Sequence, residues 1–240
     1  MKNTIRINKG SSKMIAHRGL SGIERENTNA AFIAAGNRSY FGIETDIHRT
    51  NDGRFAVIHN HDTEYVSGEK LVIGEHSLNE LEQLILFDMD GEKSRSDLRI
   101  PTLESYLSIC ETYDKVCVIE LKDAFSEPEM KDILTLTETA GRKDRCIYIS
   151  FLPENMELLR KLDASCKAQL LTGECTPDTI EFLKKNHLGI DIWYPALNEE
   201  NISMLKKENI EINCWTCDDP ADAEKLIALG VDFITSNILE

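Results

Sequence analysis

Two acidic residues, Glu44 and Asp46, lie two positions apart in a segment rich in β-branched residues. In a β-strand, residues i and i+2 point to the same face. Both carboxylates are therefore expected on one side of a strand, where like charges repel each other unless a cation lies between them. The pair predicts a site for a metal ion that prefers oxygen ligands.

A hairpin is expected directly after this strand, because the run Asn51–Gly53 is a strong turn signal. With the last two of these residues at the centre of the turn, Asp46 lies opposite His59, and Glu44 lies opposite His61. This register predicts an imidazole beside the metal site.

Further polar side chains stand where other strand-like runs end. His17 and Arg18 end the first run, Glu120 and Lys122 share the i, i+2 spacing at the end of a later one, and Trp215 ends another. Because the carboxyl ends of the strands form the reactive face of a parallel barrel, we expect these side chains to meet at one rim.

The predicted rim has the groups that phosphoryl chemistry requires. Three carboxylates without clustered thiols favour a hard divalent ion, Mg²⁺ or Ca²⁺. Arg18 and Lys122 suit the oxygens of a phosphate. His17 and His59 can accept and donate protons near neutral pH. Together these groups predict cleavage of a P–O bond.

Short β-branched runs alternate with amphipathic segments along the chain, which predicts parallel strands joined by helical crossovers. Eight such repeats predict a closed TIM (β/α)8 barrel with the hairpin as a ninth strand after strand 2. An open Rossmann-like sheet is the alternative, but no Gly-rich phosphate loop follows the first run. Predicted strands are Met14–His17, Gly42–His48, Phe55–His59, Val116–Lys122, Cys146–Ser150, Lys167–Leu171, Leu188–Trp193, Ile210–Thr216 and Val231–Thr235.

Residues 60–101 break this rhythm with one short helical pattern, Ser77–Leu86, and a charged stretch. We expect an inserted lobe over the barrel mouth. No linker separates domains, so residues 1–240 are expected to form a single domain. The last barrel helix is expected to be missing, because the sequence ends at Glu240; residues 1–13 or another subunit would then cover that gap.

Composition narrows the classes of function. The net charge of −15 opposes binding to nucleic acid and to anionic membranes, and no apolar run is long enough to span a membrane. Seven cysteines, an odd and scattered set, favour reduced thiols and a cytoplasmic protein. The Cys214–Cys217 pair has CxxC spacing but lies in a predicted strand, so structural cysteines are favoured over a redox pair. Homo-oligomerisation is left open.

The chain resembles the glycerophosphodiester phosphodiesterases, and the resemblance extends from about Met14 to Asn237. The motifs that carry it are Ile15-Ala16-His17-Arg18-Gly19, Glu26-Asn27-Thr28, Glu44-Thr45-Asp46, Val57-Ile58-His59, Ile100-Pro101-Thr102-Leu103-Glu104, Ile119-Glu120-Leu121-Lys122 and Cys214-Trp215-Thr216.

This resemblance implies a TIM barrel that hydrolyses glycerophosphodiesters to an alcohol and glycerol 3-phosphate. It implies Glu44, Asp46 and Glu120 as ligands of a divalent cation, Mg²⁺ or Ca²⁺. It implies His17 and His59 as the general acid–base pair. Arg18 and Lys122 are implied as phosphate contacts, and Trp215 at its strand end is favoured as a wall of the substrate pocket.

The chain departs from the family pattern at two positions in the site. Arg25 stands where the family usually has proline. The histidine motif reads His59-Asn60-His61-Asp62 instead of His-Asp, so His61 competes with His59 for the catalytic role. Glu26 and Asn27 are equally compatible with a role in the site and with capping the helix at Thr28.

Two other functions are weighed against hydrolysis of glycerophosphodiesters. A related phosphodiesterase or phospholipase acting on a lipid or inositol head group would need exposed basic or apolar surface near the mouth, which the acidic composition disfavours. A catalytically inactive binding module would lack a ligand or a histidine, and none is missing. A small glycerophosphodiester is therefore the expected partner.

Overall fold

A closed barrel of eight parallel strands forms the centre of the molecule. A computed structural model of the chain describes residues 3–240. Ile15 of the first strand pairs with Gly42 on one side and with Thr235 on the other, which closes the sheet. The TIM-barrel prediction is therefore confirmed. The described residues contain the strands β1 (Lys13–Ala16), β2 (Gly42–Arg49), β3 (Phe55–Val57), β4 (Val116–Leu121), β5 (Cys146–Ser150), β6 (Lys167–Thr172), β7 (Gly189–Trp193), β8 (Ile212–Trp215) and β9 (Phe233–Ser236).

Helices cover the outside of the barrel, and several begin at a side-chain cap. The hydroxyl of Thr28 accepts a hydrogen bond from the backbone N–H of Ala31, and Asp219 caps the last helix in the same way. The helices are α1 (Asn29–Gly36), α2 (Glu64–Ser67), α3 (Leu78–Leu81), α4 (Leu103–Thr112), α5 (Glu127–Thr139), α6 (Pro153–Leu162), α7 (Pro177–Asn186), α8 (Glu199–Lys207) and α9 (Pro220–Leu229). Within residues 3–240, no helix has the length and apolar character needed to cross a bilayer.

The hairpin exists, but its predicted register is wrong by one residue. Ile47 pairs with Val57 and His48 with Ala56, so the residue facing Asp46 is Ile58, whose N–H donates to the Asp46 carbonyl. The turn contains three residues instead of two, and its glycine, Gly53, has a φ of +78°. A shift of one residue moves every side chain to the other face. Neither His59 nor His61 therefore lies opposite an acidic residue of β2.

The inserted lobe has its own small apolar core. Ile58, Val66, Leu78, Leu86 and Ile100 are among its buried members. Of the helix predicted over Ser77–Leu86, only Leu78–Leu81 is helical. The lobe gives the fold a second core beside the β2–β3 hairpin.

Arg25, the departure from the family pattern, ties this lobe to the loop after β1. Its guanidinium donates to the backbone carbonyls of Phe87 and Asp88, and Glu24 pairs with Arg95 at 2.6 Å. A proline could make none of the Arg25 contacts. The loop that follows β1 is therefore attached to the lobe.

Within the described residues, β9 is the last regular element. Ile5 forms a parallel bridge with Leu239, and the buried carboxylate of Glu240 lies 3.0 Å from Nε of Arg6. Of the two alternatives, the structure places the N-terminal segment at this end, through residues 5–7, while Met1 and Lys2 lie outside the described residues. All seven cysteines are free thiols.

We expect Gly19→Ala to destabilise the protein more than Gly141→Ala. Both glycines have left-handed φ values, +75° and +66°, but a Cβ at Gly19 would lie 2.7 Å from the carbonyl carbon of Ala31, whereas a Cβ at Gly141 meets nothing within 4 Å. The left-handed strain costs about 1–2 kcal/mol at either site, and overpacking adds about 1–3 kcal/mol at Gly19 alone. Urea unfolding of both variants measures the difference, and equal losses would contradict the packing argument.

Candidate functional site

Three buried carboxylates, Glu44, Asp46 and Glu120, meet at the carboxyl end of the barrel. The register of β2 against β4 brings them together, since Asp46 is the direct neighbour of Glu120 in the parallel pair. Each side chain offers an oxygen, and these oxygens all lie within 4.8 Å of one another. The structure therefore assembles the predicted metal ligands.

The electrostatics of this acidic trio favour a bound cation. Burial, followed by repulsion from Asp46 and Glu120, raises the pKa of Glu44 well above its usual value. Burial and Asp46 likewise raise the pKa of Glu120 to about 7. Burial also opposes ionisation of Asp46, but Arg18 and Lys122 outweigh it and lower its pKa. The buried Oδ1 of Asp46 has no hydrogen-bond partner, so the oxygen-rich trio fits a divalent ion.

Arg18 is positioned by the turn after β1, in which its φ is +52°. Its backbone N–H donates to Oε2 of Glu44 at 2.7 Å. Its side chain pairs with Glu26 at 2.8 Å, and its Nε lies 3.5 Å from Oδ2 of Asp46. The loop therefore places one fixed positive charge beside the acidic trio.

Lys122 supplies the second positive charge. Its Nζ lies 2.8 Å from Oε1 of Glu120 and 3.5 Å from Oδ1 of Asp46. The side chain thus belongs to an ion-pair network and is still only partly buried at the mouth. These contacts are compatible with both a structural and a substrate-binding role.

Asn27 contacts the trio directly, a role that the sequence left undecided. Its Nδ2 donates to Oδ2 of Asp46 at 2.7 Å, while its Oδ1 accepts from the hydroxyl of Thr45 at 2.9 Å. Its backbone N–H donates to the carbonyl of Arg18. The helix cap is Thr28 itself, so Asn27 is free to orient the Asp46 carboxylate.

A hydrogen-bond chain fixes the tautomer of His17. Nδ2 of Asn237 donates to the carboxylate of Asp218 at 2.6 Å, which leaves Oδ1 of Asn237 as an acceptor 2.7 Å from Nδ1 of His17. Nδ1 therefore carries the hydrogen, and Nε2 is an acceptor in the neutral ring. Burial, aided by Arg18, lowers the pKa of His17 to about 4, so the ring is neutral at pH 7.

His59, and not His61, lines the cleft together with His17. Nδ1 of His59 lies 2.8 Å from Oδ1 of Asn60, and burial lowers its pKa while Asp46 opposes that change. The side chain of His61 is 76% exposed and faces Asp123. The position of the two rings therefore favours His59 as the histidine of the site.

The cleft is narrow, about 60 Å³, with an aromatic wall. Phe151 and Trp215 pack edge to face with ring centroids 5.6 Å apart. Trp193 is half exposed and is not among the lining residues. Those are His17, Arg18, Glu44, His59, Glu120, Ile149, Phe151, Leu171, Asp191, Trp215 and Thr235.

Sequence reasoning missed Asp191, a buried aspartate of β7 in this wall. Its Oδ1 has no hydrogen-bond partner, and burial together with Glu120 raises its pKa well above the usual value. The available signal was an acidic residue inside an otherwise apolar strand. Asp191 adds a carboxyl group to the lining of the cleft, beside those of Glu44 and Glu120.

A parallel barrel with acidic, imidazole and cationic side chains at its strand ends defines the class of TIM-barrel enzymes with a charged active-site mouth. The comparisons with known proteins narrow that class. The sequence model of the glycerophosphoryl diester phosphodiesterase family matches residues 17–239. The chain belongs to this family, and the prediction of a phosphodiesterase enzyme is confirmed.

Relatives align over nearly the whole chain. A glycerophosphodiester phosphodiesterase of Caldanaerobacter subterraneus is 29% identical over 229 residues, covering 93% of each protein. An uncharacterised protein of Bacillus subtilis is 26% identical over 228 residues, covering 92% of this chain and 93% of the relative.

Solved structures share the fold. A phosphodiesterase from Oleispira antarctica, solved with the product sn-glycerol-3-phosphate, superposes with a TM-score of 0.88 at 22% identity, covering 94% of this chain and 93% of that one. A glycerophosphodiester phosphodiesterase from Parabacteroides distasonis gives a TM-score of 0.78 at 27% identity, covering 96% and 94%. Both likenesses support the barrel described above.

We expect Asp191→Asn to raise the melting temperature of the metal-free protein, and more so at pH 8 than at pH 5. The folded-state pKa of Asp191 is raised above the unfolded value of about 3.9. The contribution of Asp191 to the free energy of unfolding is therefore greatest below the unfolded pKa and is lost as pH rises through the folded pKa. Asparagine does not ionise, so the variant does not lose stability in this way. Thermal unfolding in chelator tests it against the exposed Asp144→Asn control; a difference independent of pH would contradict the assignment.

Proposed function

We propose that this protein hydrolyses glycerophosphodiesters to an alcohol and glycerol 3-phosphate with the help of a divalent metal ion, Mg²⁺ or Ca²⁺. The observation that carries the proposal is the convergence of Glu44, Asp46 and Glu120, with one buried Asp46 oxygen lacking any hydrogen-bond partner. Membership of the family supports the reaction class.

Glu44, Asp46 and Glu120 would hold the ion. When bound, it would supply positive charge to the trio and polarise a phosphoryl oxygen. Asn27 donates to one Asp46 oxygen and the backbone of Arg18 donates to Glu44, so two of the three carboxylates are already oriented. Such supporting hydrogen bonds fix ligands in their binding geometry.

His17 is proposed as the proton acceptor. Because Asn237 holds the hydrogen on Nδ1, Nε2 of the neutral ring is free to take a proton from a substrate hydroxyl. The glycerol 2-hydroxyl is the proposed nucleophile, and its oxygen would attack phosphorus as that proton leaves. Correct placement of the base is what makes such a transfer efficient.

His59 is proposed as the proton donor to the departing alkoxide. Its ring lines the same cleft as His17; burial lowers its pKa, and the Asp46 carboxylate opposes that change. Attack by the 2-hydroxyl expels the alcohol and leaves a cyclic phosphate. Water then opens that ring to glycerol 3-phosphate, with the two histidines exchanging roles.

Arg18 and Lys122 are proposed as phosphate contacts. Both side chains are held near the cleft by ion pairs with Asp46, one of the carboxylates that would also bind the metal ion. A protein with a net charge of −15 needs such fixed local cations to attract an anionic diester. Arginine and lysine are suited to phosphate oxygens.

The narrow cleft supports a small substrate. Trp215 and Phe151 form its aromatic wall, and Trp215 is held by a hydrogen bond from Nε1 to the Asp191 carbonyl at 3.2 Å. The proposal includes a cytoplasmic location, supported by seven free thiols.

We expect His17→Ala and Glu44→Gln each to lower kcat by about 10²–10⁴ on glycerophosphodiesters, with the barrel still folded. Release of glycerol 3-phosphate measures the reaction, and circular dichroism checks the fold. His76→Gln is the matched control, because His76 lies in the lobe and its ring contacts the Val72 carbonyl rather than the cleft. Near-native turnover in both site variants would overturn the proposal.

We expect removal of metal with a chelator to abolish turnover, and Mg²⁺ or Ca²⁺ to restore it. Choline, ethanolamine, inositol and glycerol diesters are compared after each addition, alongside phospholipid vesicles. Full activity in chelator would contradict metal dependence. Activity on vesicles alone would favour a lipid-cleaving enzyme, and binding of diesters without turnover would favour an inactive module.

A further inference from the structure

A second cluster of metal-ligating side chains, His48, His61 and Asp123, lies outside the cleft. Its potential ligand atoms lie within 4.8 Å of one another, and none of the three residues lines the cleft. The imidazoles of His48 and His61 pack edge to face, with ring centroids 4.6 Å apart. Nothing in the proposed phosphodiesterase reaction uses this His48–His61–Asp123 cluster.

The buried ring of His48 has one nitrogen committed and one directed at the carboxylate. Its Nε2 lies 3.1 Å from the carbonyl oxygen of His59, and since a carbonyl only accepts, Nε2 carries the hydrogen. Its Nδ1 lies 2.9 Å from Oδ1 of Asp123. Metal-binding histidines commonly donate their other N–H to a backbone carbonyl in this way.

Asp123 is also oriented toward the two rings. Its Oδ2 accepts the backbone N–H of Arg49 at 2.8 Å, and its carbonyl accepts from Nδ2 of Asn155 at 2.8 Å. Oδ1 is left facing Nδ1 of His48, with Nδ1 of His61 at 3.7 Å. The cluster therefore has two anchored ligands and one exposed ligand that is free to adjust.

The spacing of these atoms suits a shared ion. With bonds of about 2.0–2.1 Å, the separations of 2.9 Å and 3.7 Å between Oδ1 of Asp123 and Nδ1 of His48 and His61 correspond to angles of roughly 90° and 130° at the metal, on either side of the tetrahedral angle. Two imidazoles and a carboxylate favour borderline transition metals such as Zn²⁺ and Co²⁺ over Mg²⁺ or Ca²⁺. The donor set thus differs from the oxygen-only set of the acidic trio.

We propose that His48, His61 and Asp123 bind a second divalent ion, of the Zn²⁺ or Co²⁺ class, with the fourth position open to water. The ion would link β2 to the segment after His59, since His48 already holds the His59 carbonyl and His61 lies two residues further on. The site is separate from the acidic trio, and the proposal does not depend on the chain's catalytic activity.

Cobalt titration of the metal-free full chain tests the proposal. Equilibrium dialysis counts the bound ions, and visible absorption reports imidazole coordination of Co²⁺. We expect two ions per chain in the native protein. His61→Gln should weaken the imidazole-bound ion by about tenfold or more and reduce the visible band. Glu120→Gln should keep that band, and the control His76→Gln should keep both ions.

The rival explanation is a direct contact between His48 and Asp123 with no metal. A single equivalent of Co²⁺ that Glu120→Gln removes would establish that rival and overturn the proposal. Retention of the full visible band in His61→Gln would overturn it as well. Circular dichroism of each variant shows whether the fold is kept; His61 is exposed, and the ring contact that its replacement removes is the one with His48.

Discussion

The repulsion among three buried carboxylates is the constraint on which the rest of this site depends. Glu44 and Asp46 share a face of β2, and the parallel register sets Glu120 beside Asp46. Burial removes the water that would otherwise solvate these charges, so the cost must be offset by fixed positive charge or by a metal ion. The buried carboxylates at the mouth of the folded barrel therefore need nearby positive charge.

The loop after β1 supplies part of this positive charge, and it does so through residues with a left-handed backbone conformation. Arg18 and Asn27 both have left-handed φ values near +52°, and a hydrogen bond joins their main chains. That geometry directs the Arg18 guanidinium and the Asn27 amide to the same Asp46 carboxylate. The strain of non-glycine residues in this region is typical of functional sites. Arg25 in turn fastens the loop to the lobe, so the inserted lobe supports the charge balance of the mouth.

The sequence predicted where the candidate site residues lie along the strands better than it predicted which residues face them. Strand ends could be located because polar residues interrupt apolar runs, and this placed His17, Glu44, Asp46, Glu120 and Lys122 correctly at one rim. The predicted hairpin register was wrong because the length of the turn depends on the three-dimensional structure. One extra turn residue changes the partner of every residue in β2 and moves the partner side chains to the other face. Asp191 was missed because a single acidic residue in a strand has no distinctive spacing. The choice between His59 and His61 was also not decided by the sequence pattern, because it depends on the path of the chain after β3 ends at Val57.

The length of β2 explains how one strand serves two clusters. It has eight residues, whereas the other barrel strands have four to six, and its last residues pair with β3 beyond the barrel wall. Glu44 and Asp46 lie where β2 is flanked by β4 and close to β1, and they reach the cleft. His48 follows at the same parity but lies on the hairpin extension, where Asp123 and His61 meet it outside the mouth. After the hairpin the chain returns to His59. The carbonyl of His59 accepts a hydrogen bond from His48, while the ring of His59 lines the cleft. The two clusters therefore share strand β2 and one backbone contact, but no ligand.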